Sequence, residues 1–429
     1  MKKYDTYKDS GIEWLGEIPE HWNQIKLKHV TSCNSETLTD NTAKDLAINY
    51  VEIGDVSLEK GIESYESLLF SNAPSRAKRI VRKDDVIIST VRTYLKAITQ
   101  IDRKYDGFIV STGFAVLKPK QINSKYLGYV VSSENFIDEV ISQSVGVSYP
   151  AINSSVLINI DIPIPLDLEQ IFIASFLDHK TTQIDTLIEK KEQLVEKLTL
   201  KRQAIINEAV TKGLNHNVPM KDSGIEWLGE IPEHWEVVSL KYLVNHSTTK
   251  GDGKSELKVA LENIESQTGI YLESEKKEFE GELKEFKKDD ILFNKLRPYL
   301  AKVFKAPEDG ECVSELLVFT CLSPVLIPDF LFWKLISQQV ISVVDSSIYG
   351  AKMPRVGTDF MLNLPIALPL KEEQEEIIKH ITNKIKVIDD TSGKAKESID
   401  KLKLYRQSLI SEAVTGKIDL RDWKQTDNK

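Results

Sequence analysis

Residues 8–22 read KDSGIEWLGEIPEHW, and the same fifteen letters recur unchanged at residues 221–235. An exact repeat of that length in a chain of 429 residues allows few architectures: the chain is two copies of one unit joined head to tail. The correspondence continues in order. Asp84–Ile88 answers Asp289–Phe293 and Val91–Leu95 answers Leu296–Leu300, both at a shift of 205 residues. Glu208-Ala209-Val210-Thr211 returns as Glu412-Ala413-Val414-Thr415 at a shift of 204.

Each half changes character at its end. Its first part mixes short β-rich runs (Asp85–Thr90, Gly107–Leu117; Asp290–Phe293, Val313–Leu322) with Gly, Pro, Asn and Ser punctuation, the pattern of an α+β domain. A polar, Gly-free stretch follows over Leu168–Thr211, far longer than an ordinary globular helix. Leu177, Ile184, Leu198 and Ile205 fall on a seven-residue grid there, and Ile381, Ile388, Ala395, Leu402 and Leu409 continue it in the second half. Leu187, Leu194, Ile188 and Val195 widen the first stripe. Such heptads predict helices that pair along their length, here as an antiparallel coiled coil between the halves. Ser392-Gly393 is the weak point of the second helix, since glycine costs about 1 kcal/mol relative to alanine.

The expected plan is a pseudo-twofold α+β protein: a globular head over 1–165, a long helix over 166–213, a second head over 214–369, a second helix over 370–418 and a short tail over 419–429. Paired helices would hold the heads apart as a spacer. Only Cys33, Cys312 and Cys321 occur, without metal-ligand spacing. No window is apolar enough for a membrane span and the N-terminus lacks a signal-peptide core, so the expectation is a cytoplasmic protein.

The net charge of −9 hides two basic segments. Arg76–Lys104 carries nine Lys or Arg against three Asp, and Lys284–Lys305 seven against three acids, local charges of +6 and +4 at matching places. Arg76, Lys78, Arg79, Arg92, Thr93, Tyr94 and Lys96 in one head, with Lys295, Arg297, Tyr299 and Lys302 in the other, suit phosphate and base contacts. Later in each head, Gly146–Pro150 presents Ser148 and Tyr149, and Gly350–Pro354, with flanking Tyr349 and Arg355, presents Lys352. Both stretches have the composition of a turn that carries base-reading side chains.

Enzymatic chemistry finds no purchase. Gly251–Ser255 ends like a phosphate loop but lacks its first glycine and its strand. Asp84-Asp85 and Asp289-Asp290 each precede an apolar run, as a turn before a strand does. The seven His are scattered, and no nucleotide fingerprint is present.

In its whole order the sequence resembles the specificity (S) subunit of type I restriction-modification systems. The residues that carry the likeness are the GIEWLGEIPEHW openings and the segments Val91–Lys96 and Leu296–Lys302. With them go Ser111–Phe114, the PxP-then-EQ entries to each helix (Glu169-Gln170, Glu373-Gln374), and the ends Arg202–Gly213 and Arg406–Gly416. The resemblance implies two target recognition domains, each reading half of an asymmetric bipartite DNA site, with Ser111 and Thr112 among the candidate contacts. It also implies a spacer that docks two methyltransferase subunits, which ATP-dependent restriction subunits join. S-adenosylmethionine, ATP and Mg²⁺ would then sit on those partners, with no cofactor here and no catalysis. Trp14, Trp22, Trp227 and Trp235 are expected either to dock partners or to pack each head on the helices. Where the first head has Thr112-Gly113-Phe114, the second is matched by Glu315-Leu316-Leu317. The competing reading, from the −9 charge and the acidic run Glu372–Glu376, is a scaffold or acidic DNA mimic.

Overall fold

The computed structural model describes residues 2–273, 281–322, 325–348 and 354–424. Two helices dominate it: Asp167–Lys212 with 46 residues and Lys371–Val414 with 44. Each is stopped by a glycine in the left-handed region, Gly213 at φ +73° and Gly416 at φ +72°, where a side chain would be strained. The Ser392-Gly393 pair lies inside the second helix without breaking it. The structure forms two compact units, Met1–Lys191 with Glu397–Lys429, and Glu192–Lys396, so each long helix contributes one half to each unit.

Within the first unit, the start of the first helix packs on the end of the second: Leu177 and Ile184 share a core with Leu409, Ile410 and Ala413. Within the second unit, Ile206, Ala209 and Val210 share a core with Ile377, Ile381 and Ile385. Start against end is antiparallel pairing, as the heptads predict. Ile388, Ala395 and Ile399 are buried, while Leu198, Ile205 and Leu402 are half-buried. Leu187 and Leu194, expected to widen the stripe, stand 47% and 41% exposed. A two-helix seam covers only a narrow strip of each helix, and these positions fall outside it.

Among the described residues, each head is built on two sheets of three or four strands. In the first, the antiparallel order is Ile98–Gln100, Val86–Ser89, Phe114–Pro119, Thr31–Cys33; beside it runs Glu66–Leu69, Ala47–Val51, Ile109–Ser111, Ala77–Ile80. The second head repeats this with Val244–Ser247, Leu316–Cys321, Ile291–Asn294 and Val303–Lys305. Its other sheet is Lys258–Val259, Gly310–Val313 and Leu283–Phe286. The expected single run Gly107–Leu117 is therefore two strands in two sheets, broken at Thr112-Gly113, where the Ser111 hydroxyl accepts the Gly113 N–H at 3.3 Å.

The repeated block explains itself at the helix junctions. Tyr7–Asp9 pairs with Glu17–Pro19, and Met220–Asp222 with Glu230–Pro232, closing the same hairpin twice. Trp22 and Trp235 are 0% exposed. The indole of Trp22 donates to Glu169 at 3.4 Å and that of Trp235 to Glu373 at 3.0 Å; His21 and His234 meet the same carboxylates at 2.9 and 2.8 Å. Those glutamates occupy the first turn of each long helix, where negative charge favours the dipole. A side chain at Gly416 would strike Pro19 and Trp22, and one at Gly213 would strike Glu373 and Trp235. Each block thus seals the place where one long helix ends and the other begins. Burying an indole of this size removes roughly 200 Å² from water, about 5 kcal/mol of transfer free energy. Trp14 and Trp227 are half-buried against the cores, Trp14 edge-on to Phe136 at 5.9 Å.

The neighbouring glutamines complete the joint. Gln170 donates to Pro165 O at 3.1 Å and accepts from Asn123 N at 2.8 Å; Gln374 donates to Pro369 O at 3.0 Å and accepts from Ile327 N at 2.9 Å. The PxP-then-EQ signature is this set of bonds. Of the run Glu372–Glu376, Glu373 and Gln374 are engaged in this joint, while Glu372, Glu375 and Glu376 are exposed.

Candidate nucleic-acid interface

The two basic segments contain one local structure, made twice. Arg92 and Lys96 (φ +51° and +54°) bracket a single 3-10 turn, Thr93–Leu95; Arg297 and Ala301 (φ +51° and +47°) bracket Pro298–Leu300. Non-glycine residues in the left-handed region cost on the order of 1 kcal/mol each, so holding two at matched sites in both heads points to use. The turn is pinned from beneath. Thr93 is buried with its hydroxyl 2.9 Å from that of Ser144, and Pro298 is buried at the corresponding site.

A second loop is strapped beside it. Arg92 N donates to Pro150 O at 2.7 Å and Arg297 N to Pro354 O at 3.0 Å. Bridges join Val91 to Ala151 and Leu296 to Arg355. The result in the first head is an exposed ledge: Tyr94 at 49%, Leu95 at 51%, Val147 at 102% and Tyr149 at 62% exposure. The Arg92 guanidinium lies 4.4 Å from the Tyr149 ring centre, a cation-π contact that leaves its charge outward. Ser148, between Val147 and Tyr149, is exposed, and so is Thr112. In the second head Arg297 is exposed and Tyr299 stands at 49%. Among the described residues neither Arg92 nor Arg297 has an ion-pair partner; Tyr349 and Lys352 lie outside those residues.

Several expected contacts are otherwise engaged. Thr93 and Ser111 are buried, their hydroxyls spent on the fold. Arg76 pairs with Glu52, Lys78 with Asp40 at 2.7 Å, and Lys96 with Glu134 at 2.6 Å. Arg79 is half-buried, one Nη without a partner, and burial pulls its guanidinium below the usual range. Lys302 donates to Leu261 O at 2.6 Å, while Lys295 and Arg355 face Glu315 at 3.7 and 3.0 Å. Acids from elsewhere in each head thus cancel much of the +6 and +4, and the exposed arginine-tyrosine turns remain.

The backbone also corrects the match between heads. Thr90 N donates to Gly113 O and Lys295 N to Glu315 O, at 2.8 and 3.1 Å, so Glu315 stands where Gly113 stands, one residue from the position expected. The paired aspartates are turn residues: Asp85 accepts Arg82 N and Asp290 accepts Lys287 N, both at 2.8 Å. Gly253 N donates to the buried Glu311 at 2.7 Å, which ties the otherwise exposed loop Gly251–Ser255 to the sheet. Among the described residues no group of three or more His, Cys, Asp or Glu could hold a metal ion, and no helix is long and apolar enough to cross a membrane.

The family model described as type I restriction modification DNA specificity domain matches twice, at residues 19–197 and 232–401. The MjaVIII type I restriction enzyme specificity subunit of Methanocaldococcus jannaschii is 29% identical over 301 residues, 66% of this chain and 67% of its own length. The EcoDI counterpart from Escherichia coli is 22% identical over 338 residues, 74% of this chain and 75% of its own. A chain from a study of complex assembly and conformational transition in the type I R-M system shares the fold, with a TM-score of 0.74 at 19% identity over 94% of this chain and 99% of that one. The HsdS subunit from Thermoanaerobacter tengcongensis superimposes with a TM-score of 0.52 at 20% identity over 94% and 98%.

Proposed function

This chain belongs to the family of type I restriction-modification DNA specificity subunits, and from that premise we propose that each head reads one half of an asymmetric, bipartite duplex site. The observation that carries the reading is the duplicated turn, Arg92–Lys96 and Arg297–Ala301, which presents an exposed arginine and an exposed tyrosine from a strained, strapped loop in each head. Those matched cations supply phosphate contacts common to both half-sites, and the unlike side chains around them supply the difference in sequence.

The long helices set the gap and dock two methyltransferase subunits, with ATP-dependent restriction subunits joining that core. Exposed apolar side chains on the outer helix faces support docking: Leu187, Leu200, Val387 and Leu404 are 47%, 59%, 65% and 71% exposed. The chain is a non-catalytic, cytoplasmic component on this reading, and S-adenosylmethionine, ATP and Mg²⁺ belong to its partners.

The test is to assemble the chain with its methyltransferase and select from a random duplex library. A two-part motif with a fixed gap is expected, and exchanging residues 20–165 for another head should change one half only. A single contiguous motif, or altered reading of both halves, would refute independent heads.

A further inference from the structure

The second head holds a charged cluster that the first lacks. Lys295, Glu315 and Arg355 occupy the places of Thr90, Gly113 and Ala151, as the matched backbone hydrogen bonds and bridges establish. Arg355 Nη2 reaches Glu315 Oε1 at 3.0 Å, and Lys295 Nζ lies 3.7 Å from Oε2. Lys284 lies close behind, bonded to Leu316 O at 2.8 Å, and His246 sits on the neighbouring strand. Repulsion by Lys284 and Lys295 adds to burial in holding the His246 imidazole below its usual range.

Among the described residues, three buried polar atoms here lack hydrogen-bond partners: Arg355 Nε, Glu315 Oε2, which faces only the Lys295 ammonium at 3.7 Å, and His246 Nε2. Buried polar groups left unsatisfied call for an explanation, and a bound ligand supplies one. The carboxylate is 26% exposed and faces two cations, whereas the Arg355 side chain is 43% exposed, beside the Arg297 turn. The outward-facing partner is therefore the guanidinium.

Resting on the reading of the heads as DNA-recognition domains, we propose that Arg355, oriented by Glu315 and backed by Lys295, reads a guanine in the half-site of the second head. Two arguments favour a base edge over a phosphate. Phosphates are common to both half-sites, and the heads keep Arg92 and Arg297 in common for them, whereas this cluster is unique to one head. The carboxylate at 3.0 Å also fixes the plane of the guanidinium, a constraint that a base edge requires and a phosphate, which accepts from any direction, does not. Guanine O6 and N7 instead require two donors in fixed geometry, which a buttressed guanidinium provides. Arg355 is the specificity-determining residue here; Glu315 and Lys295 are positioning residues.

The test compares the assembled methyltransferase complex containing wild type, Arg355→Ala, Arg355→Lys or Glu315→Gln on duplexes randomised in both half-sites. Wild type should prefer guanine at one position of the second half-site. Arg355→Ala should flatten that preference by roughly ten- to hundredfold and leave the first half-site intact, which also reports a folded, assembled chain. Arg355→Lys should lose the preference while keeping the salt dependence, and Glu315→Gln should weaken it partly. Uniformly weaker binding with a shallower salt slope would make Arg355 a phosphate contact. An unchanged second half-site, or loss of both half-sites, would overturn the proposal equally. No two-part motif from wild type would instead sink the reading on which it rests.

Discussion

Arg202 Nε lies 3.2 Å from Asp389 Oδ1 in one unit, and Arg406 Nε lies 2.9 Å from Asp185 Oδ1 in the other. The pairs are related by a shift of 204 residues, with the helices exchanging donor and acceptor roles. Their surroundings differ: the Arg202 side chain is 8% exposed and also donates to Gln267 O at 2.7 Å, whereas that of Arg406 is 16% exposed. Arg202→Ala is expected to cost about 2–3 kcal/mol and Arg406→Ala about 1 kcal/mol. Urea unfolding monitored by hydrogen exchange in each unit decides it; equal losses would show that the Gln267 contact contributes nothing.

The glutamate at each helix start should be worth more in the first unit. Glu169 accepts from Tyr4 at 3.0 Å as well as from His21 and Trp22, while among the described residues Glu373 has the histidine and indole alone. Glu169→Ala should destabilise by about 3 kcal/mol and Glu373→Ala by about 2, each leaving a buried indole N–H unpaired. Tryptophan fluorescence during thermal unfolding would reveal the order, and the reverse order would contradict it.

A donor has changed places between the heads. Tyr126 OH donates to Val414 O at 3.4 Å; in the second unit Phe330 stands at the tyrosine's place and Lys334, at that of Val130, donates to Val210 O at 2.9 Å. Burial pushes the fully buried Lys334 ammonium down to about 7 from its ordinary 10.5. Between those values the unfolded chain holds the extra proton. Stability of the second unit should therefore rise from pH 7 towards 10.5, by up to about 4 kcal/mol. The double substitution Phe330→Tyr with Lys334→Val restores the first unit's arrangement and should abolish that slope. Denaturation midpoints across pH test this, and a slope that survives the double change would locate its source elsewhere.

Arg92→Ala and Arg297→Ala should each weaken DNA binding by the assembled complex across all sequences and lower the salt slope by about one. Tyr94→Ala and Tyr299→Ala should leave the slope unchanged. Fluorescence anisotropy at several salt concentrations separates the two; a sequence-dependent loss at Arg92 would make it a base reader.

The repeat and the heptads made the architecture legible, because identical residues at a constant shift must fold alike and a seven-residue apolar grid has one geometric use. Arg92, Tyr94, Arg297 and Tyr299 stand out in sequence as parts of basic runs at matching places, but the left-handed turns that present them do not, because a positive φ at arginine has no letter of its own. Burial of Thr93 and Ser111 was not legible, since a hydroxyl reads the same whether it faces water or a buried partner. The strand break at Gly113 is marked only by Ser111-Thr112-Gly113, small polar letters that a strand also tolerates, and the match of Glu315 slipped by one residue for want of hydrogen bonds to count. Glu169, Gln170, Glu373 and Gln374 stood in plain view as a repeated dipeptide after a proline pair, but their bonds to Trp22, Trp235 and the proline carbonyls join positions far apart in the chain. The exchange of Tyr126 for Lys334 leaves no trace in either sequence alone.

The indole-carboxylate clasp uses the same letters in both units, whatever the sheets of each head contain. Mutation and recombination can therefore rework one head's reading surface without renegotiating its attachment. A lineage could acquire a new target by trading a single cartridge, and the unchanging fifteen letters are the socket it fits.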